Sequence, residues 1–158
     1  MKTSDTAKRV REILKKQGYK AHDISVRSNG CSVDVNIKNP CINIDKVSEL
    51  VKGEENVRYC EHTQEILQGG NTFVFVAFDW QKKREIRGTE EFKGYLTGVS
   101  EVISTLEIGQ GKDFHNYTIW KMQNSRYMSN HDNRNYTFYG AEDLSWSLYL
   151  KEKSINDI

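Results

Sequence analysis

The sequence predicts an α+β fold, a single compact domain in which an antiparallel-rich sheet is packed by two or three helices. Three observations carry this expectation. Stretches with apolar residues at helical spacing are interspersed with stretches of period-two alternation. Asn29-Gly30 sits between two alternating runs, the strongest short signal for an antiparallel hairpin. The element order runs helix, strand, strand, helix, strand, helix, then strands, without the strict alternation of a doubly wound parallel sheet. At 158 residues the chain is long enough for one real core. Residues 1–80 form a half with helix, hairpin, helix and strand, and residues 81–158 a half with a helix and a β-meander.

Residues 5–17 carry Ala7, Val10, Ile13 and Leu14 on one helical face, with Ser4 or Asp5 as cap and Gly18 as stop. Lys8, Arg11 and Lys15 are expected on the opposite face. Ile24 and Val26, then Val33, Val35 and Ile37, alternate with polar residues and predict strands over 22–28 and 31–38. Pro40 ends the second. The segment "INIDKVSELVKG" reads as a helix capped by Asn43 or Asp45, with Ile44, Val47, Leu50 and Val51 facing inward and Gly53 at its end. Residues 54–68 fit two short strands with a turn near 62–64.

"NTFVFVAFDW" is apolar on both alternating faces, which predicts a central strand covered on both sides, with Gly69 and Gly70 as the turn that feeds it. "QKKREIRG" reads as a basic connection. Thr89 then caps a helix whose apolar positions run from Phe92 to Leu106 at regular spacing. Gly94 and Gly98 inside it each cost about 1 kcal/mol against alanine, so close packing is expected at both. Gly109-Gln110-Gly111 turns the chain into a strand at "DFHNYTIWKMQ", and "RNYTFYG" gives another beyond a polar loop at 129–135. In "EDLSWSLYLKEK", Leu144, Trp146, Leu148 and Leu150 alternate with other residues, which predicts a strand, although the acidic start and basic end would suit a helix.

Charge and composition exclude several classes. The balance of 23 basic and 22 acidic residues leaves +1, so any nucleic-acid footprint has to be local. The N-terminus lacks the apolar core of a secretory signal, and no run is long enough to span a bilayer, so a cytoplasmic protein without a membrane partner is expected. Cys31, Cys41 and Cys60 are odd in number and widely spaced, as free thiols in a reducing compartment would be.

The candidate chemistry is sparse. Cys60-x-His62 is one short pair where a structural zinc site shows two. "QGGN" and "GQGKD" lack both the Lys-Ser/Thr ending and the following helix of a phosphate loop. No cofactor is therefore expected. No nucleophile motif accompanies His22, His62, His115 and His131. Two basic clusters remain as candidate partner- or nucleic-acid-binding residues. Lys8, Arg11 and Lys15 form one, and Lys82, Lys83, Arg84 and Arg87 the other. Solvated helix faces account for such clusters, and so does contact with an acidic partner or a phosphate backbone. Tyr127 and Tyr139 would add stacking surfaces.

The order "AKRVREILKK", "ISVRSNGCSVDVNI", "IDKVSELV", "EILQGGNTFVFV" resembles the large polyvalent protein-associated domain family numbered twenty-nine, found in phages and conjugative elements. The resemblance covers residues 3–80. It implies a small mobile-element protein in the cytoplasm of a bacterial host. The expected function is non-enzymatic binding of a host protein or protein–nucleic-acid complex, of the kind that inhibits a host defence system such as CRISPR or restriction. A nucleic-acid-binding accessory domain is one alternative. An enzyme with an unrecognised site, around His115, His131 and Asp132, is another. Nothing in the sequence sets the oligomeric state.

Overall fold

The computed structural model of the chain describes residues 3–56, 62–63, 71–130 and 138–157. It is an α+β fold with two small sheets. The chain divides into two compact units, Met1–Lys83 with Asp157–Ile158, and Arg84–Asn156. The expected short strands within 54–68 and the Gly69-Gly70 turn lie largely or wholly outside the described residues. No helix among those described is long and apolar enough to cross a membrane.

In the first unit, helix α1 (Thr3–Lys16) buries Thr6, Ala7, Val10 and Leu14, the face its periodicity predicts. Strands β1 (Ile24–Asn29) and β2 (Ser32–Ile37) form an antiparallel hairpin. Asn29 pairs with Ser32, so the two loop residues are Gly30 and Cys31 rather than Asn29 and Gly30. Gly30 takes φ 57° and Cys31 stays out of the left-handed region. Glycine first in a two-residue loop is the type II′ preference, and it shifts the turn by one position.

Helix α2 (Ile44–Val51) starts at Asn43, whose side chain accepts from the backbone N–H groups of Asp45 and Lys46. That cap contributes about 1 kcal/mol. A short 3₁₀ turn, Lys52–Glu54, follows. Strand β3 (Phe73–Phe78) then pairs with β2 in parallel. Parallel pairing requires a crossover, and α2 lies within it. The core joins Val10 of α1, Val33, Val35 and Ile37 of β2, Val47 and Val51 of α2, and Val74 of β3, all 0% exposed. Each such side chain contributes about 1.5–3 kcal/mol of burial.

The sheet order is β1-β2-β3, which corrects the expectation for "NTFVFVAFDW". The central strand is β2, and among the described residues β3 is an outer one. Val74, Val76 and Phe78 point to the core side, whereas Phe75 and Ala77 are exposed. Phe75 is 53% exposed and stacks on Phe73, with centroids 6.0 Å apart and planes at 8°. An apolar run fits a strand covered on both faces, but it fits equally an outer strand that keeps one aromatic face open.

Helix α3 (Trp80–Arg87) replaces the expected basic connection. Asp79 opens it, its carboxylate accepting from Lys82 N–H at 3.0 Å and its carbonyl from Lys83 N–H at 2.9 Å. Only Ile86 is buried, so its single apolar anchor left no periodic signal.

In the second unit, Thr89 caps helix α4 (Glu90–Ser104), as the sequence predicts, through the backbone N–H of Phe92 at 3.3 Å. The predicted strand over "DFHNYTIWKMQ" is instead a hairpin of β4 (Gly111–Phe114) and β5 (Tyr117–Lys121). The turn is His115-Asn116, which alternation alone did not reveal. Strand β6 (Tyr127–Ser129) extends the antiparallel meander over residues for which the sequence predicts no element, ending at the first residue of the predicted 129–135 loop. Most of the strand expected at "RNYTFYG" lies outside the described residues, although Phe138 bridges to Tyr127.

Residues 142–153 are helical, not extended. Helix α5 (Ala141–Lys153) carries Glu142 and Asp143 in its first turn and Lys151 and Lys153 in its last, matching the macrodipole. Its buried stripe is Leu144, Ser145, Leu148 and Tyr149. Ser145 is 0% exposed because its Oγ donates to the Ala141 carbonyl at 2.5 Å. Counting Ser145 and Tyr149 as polar concealed the helical spacing. Val99, Leu106, Phe114, Ile119, Leu144 and Leu148 make the core of this unit.

Candidate functional site

Among the described residues, one concavity in each unit gathers candidate side chains. In the first unit, α1 and β1 enclose an open groove of about 720 Å³. Its apolar wall is Leu14, Tyr19, Ala21, Ile24 and Val26, and Arg11, Lys15, Lys20 and His22 supply the polar rim. Among the described residues no acidic side chain lines it, although His22 Nε2 lies 3.4 Å from Asp23 Oδ1 beside the rim. Arg11 Nη2 donates to the Val26 carbonyl at 2.8 Å. Arg11 therefore sits on the flank of α1 that overlooks β1, not on the far side of the helix as its spacing suggested.

Register explains why this edge is open. The Lys38 N–H donates to the Asp23 carbonyl at 2.7 Å, so β1 residues of odd number bond to β2. Ile24, Val26 and Ser28 then turn their backbone groups outward. Lys20 accepts from the Ile24 N–H at 3.2 Å, and Arg11 takes the Val26 carbonyl. A charged side chain placed on a strand edge is a common guard against unwanted pairing.

Tyr19 is held in the groove wall from behind. Its hydroxyl donates to Asp157 Oδ2 at 3.1 Å. Asp157 also accepts from the Asn43 backbone N–H at 2.8 Å and from Lys46 Nζ at 3.1 Å. Burial alone would raise the Asp157 pKa, but the Asn43 N–H, the Lys46 ammonium and the Tyr19 hydroxyl outweigh it and hold it below the usual range. The same carboxylate raises the Lys46 pKa through its hydrogen bond. Burial first, then Asp157, raises that of Tyr19.

Of the seven basic residues singled out in the sequence, Arg11 and Lys15 line this groove, and Lys8 is exposed on α1 ahead of them. Lys82, Arg84 and Arg87 are exposed on α3 and Lys83 is half-buried. Arg87 is ion-paired with Glu142, which reduces its value as a free cation. Lys20 and Tyr19 were not singled out. Their position just after Gly18 was the available signal, since Gly18 at φ 90° ends α1 and turns the chain toward β1.

The second concavity, about 520 Å³, is lined by Tyr95, Phe114, His115, Tyr149, Glu152 and Lys153, with Glu91, Gly94 and Gly98 on α4. His115 stacks on Phe114 at 4.3 Å and meets the Tyr95 ring edge-on at 5.3 Å. Its Nδ1 lies 3.2 Å from Glu152 Oε1. His115 takes φ 52° in the hairpin turn, a conformation that costs a non-glycine residue about 1 kcal/mol. The Tyr95 hydroxyl is buried and has no hydrogen-bond partner among the described residues. Burial, and then the Glu152 carboxylate, raise its pKa strongly. Tyr117 is raised for the same two reasons.

His115 was visible in the sequence, but its expected companions His131 and Asp132 lie outside the described residues. Glu152 and Tyr149 come from α5 and become legible only once that segment is helical. Among the described residues no group of three or more His, Cys, Asp or Glu is arranged to hold a metal ion. Cys60 lies outside those residues, and Cys31 and Cys41 are free and exposed.

The two helical glycines separate here. A Cβ on Gly98 would lie 2.9 Å from Phe114 Cε2, whereas one on Gly94 would meet nothing within 4 Å. Close packing therefore accounts for Gly98 alone. Gly94→Ala is expected to stabilise the protein by about 0.5–1 kcal/mol through helix propensity. Gly98→Ala is expected to destabilise it by about 1–2 kcal/mol as Phe114 is displaced. Urea denaturation of the two variants tests the contrast, and an equal gain in both would contradict it.

No family model matches the chain, and neither a curated protein nor a solved structure is significantly similar to it.

Proposed function

We propose that this is a non-enzymatic binding protein of a mobile element, and that it captures an acidic, apolar segment of a host protein along the α1–β1 groove. The observation that carries the reading is the groove itself, an apolar wall beside an open strand edge under a rim of Arg11, Lys15, Lys20 and His22. An extended segment alternating Asp or Glu with Val or Leu matches that chemistry. Its apolar side chains would bury against Tyr19, Ile24 and Val26, and its carboxylates would meet the basic rim. Outward backbone groups of β1 offer strand addition once Arg11 releases the Val26 carbonyl and the Lys20 carbonyl releases the Ile24 N–H. The mobile-element setting rests on the sequence resemblance read over residues 3–80 alone. Inhibition of a host defence system is the role that setting suggests.

The test is fluorescence anisotropy with a labelled peptide of alternating Glu and Val, against a peptide of alternating Lys and Val and a single-stranded oligonucleotide. The acidic peptide should bind saturably, and Lys15→Glu with Lys20→Glu should weaken it at least about tenfold, the equivalent of 1.4 kcal/mol. Equal binding of the basic peptide, or indifference to the charge reversals, would sink the reading. Tight, salt-dependent oligonucleotide binding that is lost when Lys82, Lys83, Arg84 and Arg87 become alanine would favour the nucleic-acid alternative instead.

A further inference from the structure

The second-unit concavity has a chemistry that the groove reading does not use. Its walls are aromatic, and its charged side chains sit around those rings. Tyr95 packs edge-on against Phe114 at 5.1 Å and against Tyr149 at 5.8 Å. Ring faces carry negative quadrupolar charge, and a site walled by several of them beside carboxylates attracts cations. Glu91 and Glu152 are those carboxylates.

The protein already places one cation there. Lys153 Nζ stands 5.5 Å from the Tyr149 ring centroid and pairs with Glu91. The flexible Lys153 side chain is about one-third exposed, so an incoming cation can take its place at modest cost. Glu152 is tied to His115 in the same concavity. Space for a ligand is also present, because Gly94 puts no side chain into the concavity.

The turn adds an independent argument. A two-residue hairpin loop with positive φ first favours glycine. Here the position is His115, and the strained backbone brings the imidazole against Phe114 and Glu152. Strain of this kind persists where the surroundings hold it, and it clusters at binding sites.

We infer that this concavity is a binding site for an alkylammonium group, either a free amine or a lysine side chain of a peptide. The ammonium takes the place of Lys153 Nζ beside Tyr149 and Glu91, Tyr95 and Glu152 complete the wall, and the alkyl stem runs over the Gly94 surface of α4.

Isothermal titration of the full chain with n-butylammonium chloride tests this, with n-butanol as neutral isostere, sodium butyrate as anion and an N-acetyl-lysine-amide peptide as the second cation source. Saturable binding of butylammonium or the lysine peptide, with butanol and butyrate at least about tenfold weaker, is expected from cation–π contact and charge together. Lys153→Gln removes the resident competitor and should tighten binding several-fold, and Gly94→Leu should abolish it. Binding of both cations identifies the ammonium as the recognised group. Binding of the peptide alone identifies a lysine in a chain. The site is overturned if neither cation binds the wild type or Lys153→Gln, if butanol binds as well as butylammonium, or if Gly94→Leu, folded by circular dichroism, binds undiminished.

Discussion

Phe92→Ala is expected to lower stability by about 3–5 kcal/mol, the range for truncating a fully buried aromatic side chain. Phe92 is 1% exposed. Its ring meets Trp146 edge-on at 5.8 Å and Tyr149 at 5.4 Å, and such pairs add to the energy of burial alone. Positions 146 and 149 are three apart on α5, so one ring from α4 touches both only because that segment is helical. Had residues 142–153 been a strand, 146 and 149 would face opposite sides and no single ring would bridge them. Against a typical domain stability of about 5–15 kcal/mol, the loss should be visible as a large shift in the urea midpoint followed by circular dichroism. Phe92→Leu, which keeps most of the volume, should recover more than half of it. A loss below about 1 kcal/mol for the alanine variant would mean that α4 and α5 do not pack through this ring.

Asp157→Asn is expected to cost about 1–3 kcal/mol at neutral pH, the range for losing hydrogen bonds to a charged, partly buried group. The carboxylate accepts from Asn43 N–H, Lys46 Nζ and Tyr19 OH, and the amide that replaces it keeps neither the charge nor all the acceptor sites. The pH dependence has a definite sign. The folded pKa lies below the model-peptide value of 3.8. Between the two values the unfolded chain binds more protons than the folded one, so the contribution is complete above the unfolded value and lost as pH falls through the folded one. Urea stability measured from pH 7 downward should therefore show wild type and Asp157→Asn converging in acid. Parallel curves would show that this carboxylate is not held by its partners. Because Asp157 also fixes the Tyr19 hydroxyl in the groove wall, the same variant should weaken the acidic peptide, linking this clasp to the proposed binding surface.

The basic candidates show how far residue type carries an argument. Lys8, Arg11 and Lys15 were legible as a stripe because their spacing is helical. That Arg11 guards the β1 edge was not, since its acceptor is a backbone carbonyl fifteen residues away. Arg87 read as part of a free cluster, and only folding brought Glu142 against it. His115 was legible as a histidine in a strand-rich segment. Its left-handed backbone and its Glu152 partner belong to a turn and a helix that alternation had merged or misassigned.

The sequence by itself determined the α+β class, helices α1, α2 and α4 with the Thr89 cap, and the β1–β2 hairpin, and it narrowed the α2 cap to Asn43 or Asp45. Each of these is written in local periodicity or in a side chain bonding its own backbone, and both act over a few residues. Only the tertiary structure decided that, among the described residues, β2 lies between β1 and β3, that α5 is a helix and that the residues of the α1–β1 groove and of the Tyr95–His115 concavity come together. Apolar content reports how much a segment buries but not which neighbour covers it. A helix whose stripe includes a serine bonded to its own backbone and a packed tyrosine hides its period until the partner rings are in place.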